Sequence, residues 1–370
     1  MRVLVLDSYY RAFWREHYGG RPGLVDRSYA DQLRSLMARL FGTSDAYSHH
    51  LRRLGHDACE VVVNCVPLQA AWAREHRIAG LSRFATRVPG LTPPAARAFL
   101  PRVLIAQIDS FDPDVVYVQD LAGLWHGVRR HVRRRGCLLV AQLASIPPPD
   151  AVLRDCDLVI TSCPHWVDRL RDRGVDCEYL PLAFDERVLD AVASDDGRIY
   201  PVTFVGTLRP ENYSGRAQAA LERACARLKV SVWGAGAETL PPGSAIIRDY
   251  RGEAWGRDMY AVLGNSSITV NRHGDIAEGR AINMRMYEAT GMGAVLLTEA
   301  APNLPDLFEP GREVIAYESP DDLVVQAERL LGDPDERREI AEAGQRRTLS
   351  DHTYARRMPR IVELVEARLR

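Results

Sequence analysis

The sequence predicts a protein of two α/β domains, each built on a doubly wound parallel sheet. Its 370 residues are too many for one ordinary domain, because domains average about 150 residues. Short apolar runs alternate with helical segments, and each run is continuously apolar, which is typical of strands covered by helices on both faces. The pattern stops in residues 189–198, which are small and acidic, and then restarts. We therefore predict domains over residues 1–195 and 196–350 with a linker near residue 195.

Five strand-like runs divide the first half, and helical segments lie between them. The runs are residues 3–6, 61–63, 115–118, 138–143 and 158–161. Residues 11–47, between the first two runs, are rich in aromatic residues and arginine, which is unusual for a simple crossover. We interpret them as an insertion that shapes a binding site.

The second half repeats this alternation. Its strand-like runs are residues 202–205, 230–233, 267–270 and 294–297, and residues 216–228 predict a helix between the first two. Residues 351–370 predict a C-terminal helix that packs back on the first domain. Ligands of open α/β sheets bind at the carboxyl ends of the strands, so two hinged domains of this kind predict a ligand cleft between them.

Composition excludes several classes of protein. Lys and Arg number 48 against 49 Asp and Glu, so a nucleic acid is not expected as the main partner. One cluster is basic: Arg129, Arg130, His131, Arg133, Arg134 and Arg135. We interpret it as a solvated helix face rather than a patch for anionic membranes. The seven cysteines occur singly and no apolar run reaches about 18 residues, so we expect a cytoplasmic protein with at most peripheral membrane contact.

Two strands of the second half run directly into glycine. Gly206, followed by Thr207, allows the backbone to approach a ligand, and a helix beginning near residue 214 or 215 would direct its N-terminus at a phosphate. Arg209 and Arg216 could pair with a diphosphate. Gly234 follows the next strand, in an incomplete dinucleotide fingerprint that we interpret as a tight loop lining a nucleotide pocket. An ordinary strand-end turn is the alternative at Gly206.

The strongest candidate segment is residues 278–299. Polar residues at helical spacing precede two glycines and an apolar strand: Asn283, Arg285, Glu288, Gly291 and Gly293. The carboxylate of Glu288 can accept both hydroxyls of a ribose, while Arg285 or Arg280 offsets a diphosphate charge. The alternative is that Arg285 and Glu288 form a surface helix pair worth roughly 0.2–0.5 kcal/mol.

Several motifs carry a family resemblance. In the second half they are Phe-Val-Gly-Thr-Leu at 204–208, Asn-x-Arg-x-Tyr-Glu-Ala-x-Gly-x-Gly at 283–293, and Leu-Pro-Asp-Leu-Phe-Glu-Pro-Gly-Arg-Glu at 304–313. In the first half they are Gln-Leu-Ala-Ser at 142–145 and the segments 156–165 and 179–185. Together they resemble group-1 glycosyltransferases, most closely the spore-maturation (CgeB-like) branch, over most of residues 100–350. The resemblance implies a GT-B fold, with two Rossmann-like domains facing an interdomain cleft.

The resemblance also implies which residues bind the donor. Residues 196–350 would bind the nucleotide sugar, with Glu288 on the ribose, residues 206–209 on the diphosphate, and residues 291–293 lining the pocket. Tyr287 belongs to the matching motif. The sequence departs from the family pattern in two respects, because no lysine follows the Arg209 loop and the pair Glu278 and Glu288 is spaced differently.

The predicted reaction is transfer of a sugar from a UDP-, GDP- or dTDP-linked donor to a glycan, lipid-linked or small-molecule acceptor, without a further cofactor. The resemblance implies metal-independent transfer, because GT-B enzymes stabilise the leaving diphosphate with cationic side chains and helix dipoles. It also implies retention of configuration. The first domain would be the acceptor side.

Two residues after the third strand are catalytic candidates. Asp120 and His126 could each be a general base or an acceptor anchor, and the alternatives are a helix N-cap and a partly buried histidine. Three other functions remain open: a nucleotide-sugar 2-epimerase of GT-B type, a catalytically silent nucleotide-sugar or glycan-binding protein, and a sugar dehydrogenase. The incomplete glycine fingerprint argues against the last of these.

Overall fold

The computed structural model describes residues 1–78, 94–192, 198–209 and 215–369. The chain divides into two compact units, one formed by Met1–Leu180 with Met358–Arg370 and the other by Pro181–Arg357. This division precedes the linker predicted near residue 195, of which residues 193–197 lie outside the described ranges. The backbone of Phe184 explains the earlier division, since it hydrogen-bonds His352 and Tyr354 of the second unit.

The first unit contains a six-stranded parallel sheet in the order β2-β1-β3-β4-β5-β6. The strands are β1 Arg2–Asp7, β2 Asp57–Val62, β3 Val115–Val118, β4 Leu138–Leu143, β5 Leu158–Thr161 and β6 Cys177–Tyr179. The helices are α1 Arg11–Gly19, α2 Tyr29–Met37, α3 Ala46–Arg53, α4 Val66–Glu75, α5 Pro94–Phe111, α6 His126–Arg134, α7 Asp150–Leu153 and α8 Pro164–Arg171. Strands β3 and β5 are buried at every position, as expected for strands covered on both faces.

The second unit contains a five-stranded parallel sheet in the order β11-β10-β9-β7-β8. The strands are β7 Tyr200–Val205, β8 Val230–Trp233, β9 Ser266–Asn271, β10 Val295–Glu299 and β11 Ile315–Tyr317. The helices are α9 Val188–Ala191, α10 Gly215–Arg227, α11 Ala245–Arg248, α12 Arg257–Gly264, α13 Arg285–Gly291, α14 Pro320–Gly332, α15 Pro334–Asp351 and α16 Tyr354–Leu369. The predicted pair of parallel sheets is therefore confirmed.

Helix α16 begins in the second unit, and its residues from Met358 on belong to the first. There the guanidinium of Arg368 binds Asp176, with Nε 2.5 Å from Oδ2 and Nη2 2.7 Å from Oδ1. Within the described ranges, no helix is long and apolar enough to cross a membrane.

The basic cluster on α6 is largely paired with acidic side chains. Arg129 is buried and lies 3.0 Å from Asp155, which also binds Arg133. His131 and Arg135 both bind Asp109. Burial and pairing of Arg129 correct the interpretation of a solvated face at that position, and the acidic partners offset the charge that an anionic membrane would require.

Candidate functional site

The second sheet has a topological switch point, a place where the strand order reverses. The chain runs from β7 outward to β8 and then returns to place β9 on the other side of β7. Ligands of open α/β sheets bind outside the carboxyl ends of the strands at such a reversal. Gly206 and Thr207 follow β7 there, and Arg272 and His273 follow β9.

The loops after β7 and β8 approach each other closely because of a glycine. The Gly206 N–H donates to the Trp233 carbonyl at 3.0 Å, and the Leu208 N–H donates to the Ala235 carbonyl at 2.8 Å. A Cβ added at Gly234 would lie 1.7 Å from the Gly206 carbonyl oxygen, so only glycine allows this approach. The predicted residues Gly206 and Gly234 therefore form one structural feature beside the switch point.

Glu288 is buried in α13 and held from two sides. Its Oε2 lies 2.7 Å from Nη1 of Arg285, and its Oε1 accepts a hydrogen bond from the Tyr260 hydroxyl at 3.3 Å. Arg285 also donates from Nε to the Val205 carbonyl at the end of β7, at 3.0 Å. The side chains of Arg285 and Glu288 are 15% and 6% exposed, so the pair is buried rather than a surface pair.

Asn283 precedes α13 and ties this segment to the end of β9. Its Nδ2 donates to Asn271 Oδ1 and to the Arg272 carbonyl, both at 2.9 Å. Its Oδ1 is a buried acceptor with no hydrogen-bond partner among the residues that the structure describes. An acceptor of this kind is costly to leave unpaired, and a ligand hydroxyl or a water molecule could satisfy it.

His273 adds a second such group. Nε2 of the ring lies 3.2 Å from Thr298 Oγ1, while Nδ1 is buried without a partner in the described part of the chain. Burial lowers the pKa of His273 to about 4, so the ring is neutral near pH 7.

Arg272 is a site residue that the sequence analysis missed. Its Nη1 donates to Gln218 Oε1 at 2.7 Å and its Nη2 to the Thr207 carbonyl at 2.9 Å, while the guanidinium lies 5.0 Å from the centre of the Phe204 ring. It thereby joins the loop after β7 to α10. Its position in the sequence could have revealed it, because an arginine directly after a buried strand lies at the carboxyl edge of the sheet.

The two predicted cationic residues beside this loop differ in their surroundings. Arg209 pairs with Glu238 at 3.0 Å, and both side chains are exposed. Arg216 is exposed near the start of α10, and its charge acts on Glu299. Burial raises the pKa of Glu299, while the charges of Arg216 and Arg272 oppose that shift.

Three predicted residues pack away from these polar groups. Tyr287 is 1% exposed, and its ring lies against Phe308 and His352 at centroid distances of 5.9 and 5.1 Å. A Cβ at Gly291 would lie 2.6 Å from the Phe184 ring. Gly293 has a φ of +75° and its carbonyl accepts from Arg198. The first two residues face other side chains and the third forms a turn, and their expected donor contacts stay a prediction.

The first sheet also reverses its strand order, between β1 and β3. Asp7 ends β1, and Asp120 follows β3 at the same edge. Burial raises the pKa of Asp7 to about 7, and the charge of Asp120 adds to this shift, whereas hydrogen bonds from Ser8 and Thr43 oppose it. Such a carboxyl group can accept and release a proton near neutral pH. Asp7 was missed, although it directly follows the first strand-like run.

The structure corrects both alternatives considered for Asp120 and His126. Asp120 Oδ1 accepts from the Gly123 N–H at 3.1 Å and so closes a turn, whereas the N-cap residue of α6 is Trp125. His126 is the first residue of α6 and is exposed rather than partly buried, with Nε2 2.8 Å from Nη2 of Arg130. Only Asp120 is brought beside Asp7.

Known proteins resemble the chain mainly in structure. Residues 215–363 match a family model described as glycosyl transferase-like. No curated protein sequence matches. A solved glycosyltransferase from Rickettsia africae ESF-5 is 10% identical, with 100% of this chain and 98% of that chain covered and a TM-score of 0.62. The Anabaena protein Alr3699/HepE, solved in complex with UDP-glucose, is 13% identical, with 99% and 100% covered and a TM-score of 0.63.

A third structure is AviGT4, a glycosyltransferase involved in avilamycin A biosynthesis. It is 17% identical, with 100% of this chain and 98% of that chain covered and a TM-score of 0.53. At these identities the likeness concerns the fold, which is the GT-B glycosyltransferase fold with two parallel sheets. The fold class predicted from the sequence is thus confirmed.

Proposed function

We propose that the protein is a glycosyltransferase that binds a nucleoside diphosphate sugar at the switch point of its second sheet. The observation that carries the proposal is the buried carboxylate of Glu288, held by Arg285 and Tyr260 beside the close approach of Gly206 and Gly234. A fixed carboxylate accepts hydrogen bonds from hydroxyl groups, and glycine allows a phosphate to approach the backbone closely. The spore-maturation branch of the group-1 enzymes remains our family assignment, on the motif at 283–293.

Cationic side chains would stabilise the departing diphosphate. Arg272 lies at this edge, Arg216 is exposed near the N-terminus of α10, and Arg209 follows the glycine loop. Guanidinium groups supply charge and planar hydrogen bonds to phosphate oxygens without a metal ion. We therefore propose metal-independent transfer, and retention of configuration on the basis of the family resemblance. The donor residues proposed are Gly206, Thr207, Arg209, Arg216, Gly234, Asn283, Arg285, Tyr287, Glu288, Gly291 and Gly293.

The first unit would bind the acceptor, whether a glycan, a lipid-linked intermediate or a small molecule. Asp7 and Asp120 form the proposed proton-accepting pair, because the pKa of Asp7 lies near neutrality. His126 is the proposed acceptor anchor, since its exposed ring can meet a ligand. The free cysteines are consistent with a reducing, cytoplasmic location.

A binding and turnover experiment tests the donor site. We would measure thermal shifts with UDP, GDP and dTDP, and then nucleoside diphosphate release with matching sugar donors, for wild type and Glu288→Gln. UDP donors come first, because the Anabaena protein of similar fold was solved with UDP-glucose. A ligand at about 100 times its dissociation constant should stabilise the folded state by roughly 2.7 kcal/mol.

Glu363→Gln is the matched control, because Arg360 and Glu363 have the same spacing but are exposed. We expect a smaller thermal shift in Glu288→Gln and an unchanged one in Glu363→Gln. No shift with any nucleotide would reject the donor site. Binding without release of nucleoside diphosphate, across all acceptor classes, would instead indicate a silent binding protein.

A further inference from the structure

Tyr260 is a buried residue of α12 that no sequence motif singled out. Its ring is 1% exposed and packs edge-on against Phe184, with ring centroids 6.2 Å apart. Its hydroxyl donates to Oε1 of Glu288 at 3.3 Å. The hydroxyl therefore meets the carboxylate oxygen that Arg285, which lies at Oε2, leaves available.

The protonation state makes Tyr260 a permanent donor. Burial raises the pKa of Tyr260 well above its usual value, and the negative charges of Glu288 and Asp185 raise it further, while Arg285 opposes them. The phenol thus keeps its proton over the whole physiological range of pH. Because Glu288 is an acceptor when ionised, the hydrogen bond can run in only one direction.

Two partners fix a carboxylate better than one. The terminal torsion of a glutamate side chain is broad, so an ion pair at Oε2 alone leaves the carboxylate plane free to turn. The Tyr260 hydroxyl restrains the second oxygen. An ionised carboxylate accepts about four hydrogen bonds, and the two contacts described leave acceptor capacity on each oxygen. Two neighbouring hydroxyl groups, as in the 2′,3′-diol of a ribose, match that pair of acceptors.

We propose that Tyr260 is a positioning residue that makes the donor site selective for ribonucleoside diphosphates over their 2′-deoxy counterparts. The inference rests on the proposed function, since Glu288 must bind the ribose of the nucleotide. It narrows the donor class to UDP- or GDP-linked sugars and excludes dTDP-linked ones, whose deoxyribose lacks the 2′-hydroxyl. A 2′-deoxy ligand would leave one oriented oxygen of Glu288 without its partner.

The test compares dissociation constants for UDP, 2′-deoxy-UDP, GDP and 2′-deoxy-GDP by calorimetry. For wild type we expect a preference for ribose of about tenfold or more, the size of a hydrogen bond to a charged group. In Tyr260→Phe we expect weaker binding of the ribonucleotides and nearly unchanged binding of the deoxy forms, so the preference falls at least about threefold. Tyr18→Phe is the matched control, because its buried hydroxyl binds Gln32 in the first unit, and it should keep the wild-type preference.

A double variant separates positioning from general damage. If Tyr260 acts through the charged carboxylate, Tyr260→Phe should not change the ribose preference in a Glu288→Gln background. Equal weakening of ribose and deoxyribose ligands in Tyr260→Phe would overturn the proposal and leave only a packing role. A change of preference that persists in the Glu288→Gln background would overturn it as well. A wild-type protein that binds none of the four nucleotides would reject the donor site itself.

Discussion

The carboxyl edges of the two sheets have the same topology but different charge. In the second unit, the carboxylate of Glu288 is paired with Arg285 and hydrogen-bonded by Tyr260. In the first unit, burial raises the pKa of Asp7 to about 7, and the negative charge of Asp120 adds to this shift. The comparison teaches that one scaffold can hold a fixed charge or a labile proton, depending on whether a buried carboxylate has a cationic partner.

The largest effect should come from removing the fixed charge. Glu288→Ala leaves the largely buried guanidinium of Arg285 without its carboxylate partner, and loss of one partner of a buried ion pair typically costs about 3–5 kcal/mol. We expect a drop of this size in the free energy of unfolding, measured by urea titration, together with loss of nucleotide binding.

Glu363→Ala removes the exposed equivalent, three residues after Arg360. Exposed pairs of this kind contribute about 0–1 kcal/mol, so this control should unfold almost like wild type. Equal costs for the two variants would contradict the burial on which the comparison depends.

The second largest effect should come from the glycine contact beside Glu288. In Gly234→Ala the new methyl group would overlap the Gly206 carbonyl, so one loop must move, and we expect a cost of about 2–3 kcal/mol and weaker nucleotide binding. Gly127→Ala is the control, because a Cβ at this position of α6 meets no atom within 4 Å and alanine favours a helix. It should be neutral or stabilising by up to about 1 kcal/mol. A tolerated Gly234→Ala would show that the loops do not need this approach.

The labile proton of the first edge predicts a pH dependence. The folded state keeps the proton of Asp7 up to about pH 7, whereas the unfolded chain releases it near pH 4, so this group lowers the free energy of unfolding as pH rises between those values. Asp7→Asn should therefore gain about 4 kcal/mol over wild type at pH 8 and little at pH 4. Burial also raises the pKa of Glu60 to about 7, so the free energy of unfolding of the variant should still depend in part on pH.

The same variant tests the proposed chemistry. If the Asp7 and Asp120 pair accepts the proton of the acceptor, turnover should fall by about 100-fold or more in Asp7→Asn, while the dissociation constant for the nucleotide stays the same. A gain in stability that is equal at both pH values, or an unchanged turnover, would remove the distinction between the two edges.

The smallest effect should come from His126→Ala. The ring is exposed and its hydrogen bond joins it to Arg130 of the same helix, so the free energy of unfolding should change by less than about 0.5 kcal/mol. We expect the KM for the acceptor to rise a few-fold with kcat unchanged. A large fall in kcat would instead indicate that His126, rather than Asp7, is the base.

The inner strands of each sheet could be predicted from the sequence because they are continuously apolar. Strands β3 and β5, for example, coincide with predicted runs, whereas β6 and β11 have three residues each and lie at sheet edges. Such edge strands have too few buried positions to produce an apolar run. The boundary between the units after Leu180 could not be predicted either, because it depends on the backbone hydrogen bonds of Phe184 with distant residues.

The site could be predicted only where its residues share a local pattern. Glu288 and Arg285 follow helical spacing, but Tyr260 and Arg272 reach the site from other elements. Neighbouring positions of a helix point about 100° apart, which is why Tyr287 packs against Phe308 while Glu288 meets Arg285. The pairing of Asp7 with Asp120 depends on β1 lying beside β3, and strand order is a property of the folded sheet.

Because the first unit is formed from two segments of the chain, its synthesis is completed after that of the second unit. A ribosome makes residues 181–357, the whole second unit, before it makes the part of α16 in which Arg368 binds Asp176. Domains usually fold in the order in which they are made, from the N-terminus onward. Here the N-terminal unit is completed last, so its contact between Arg368 and Asp176 can form only after the whole second unit has been synthesised.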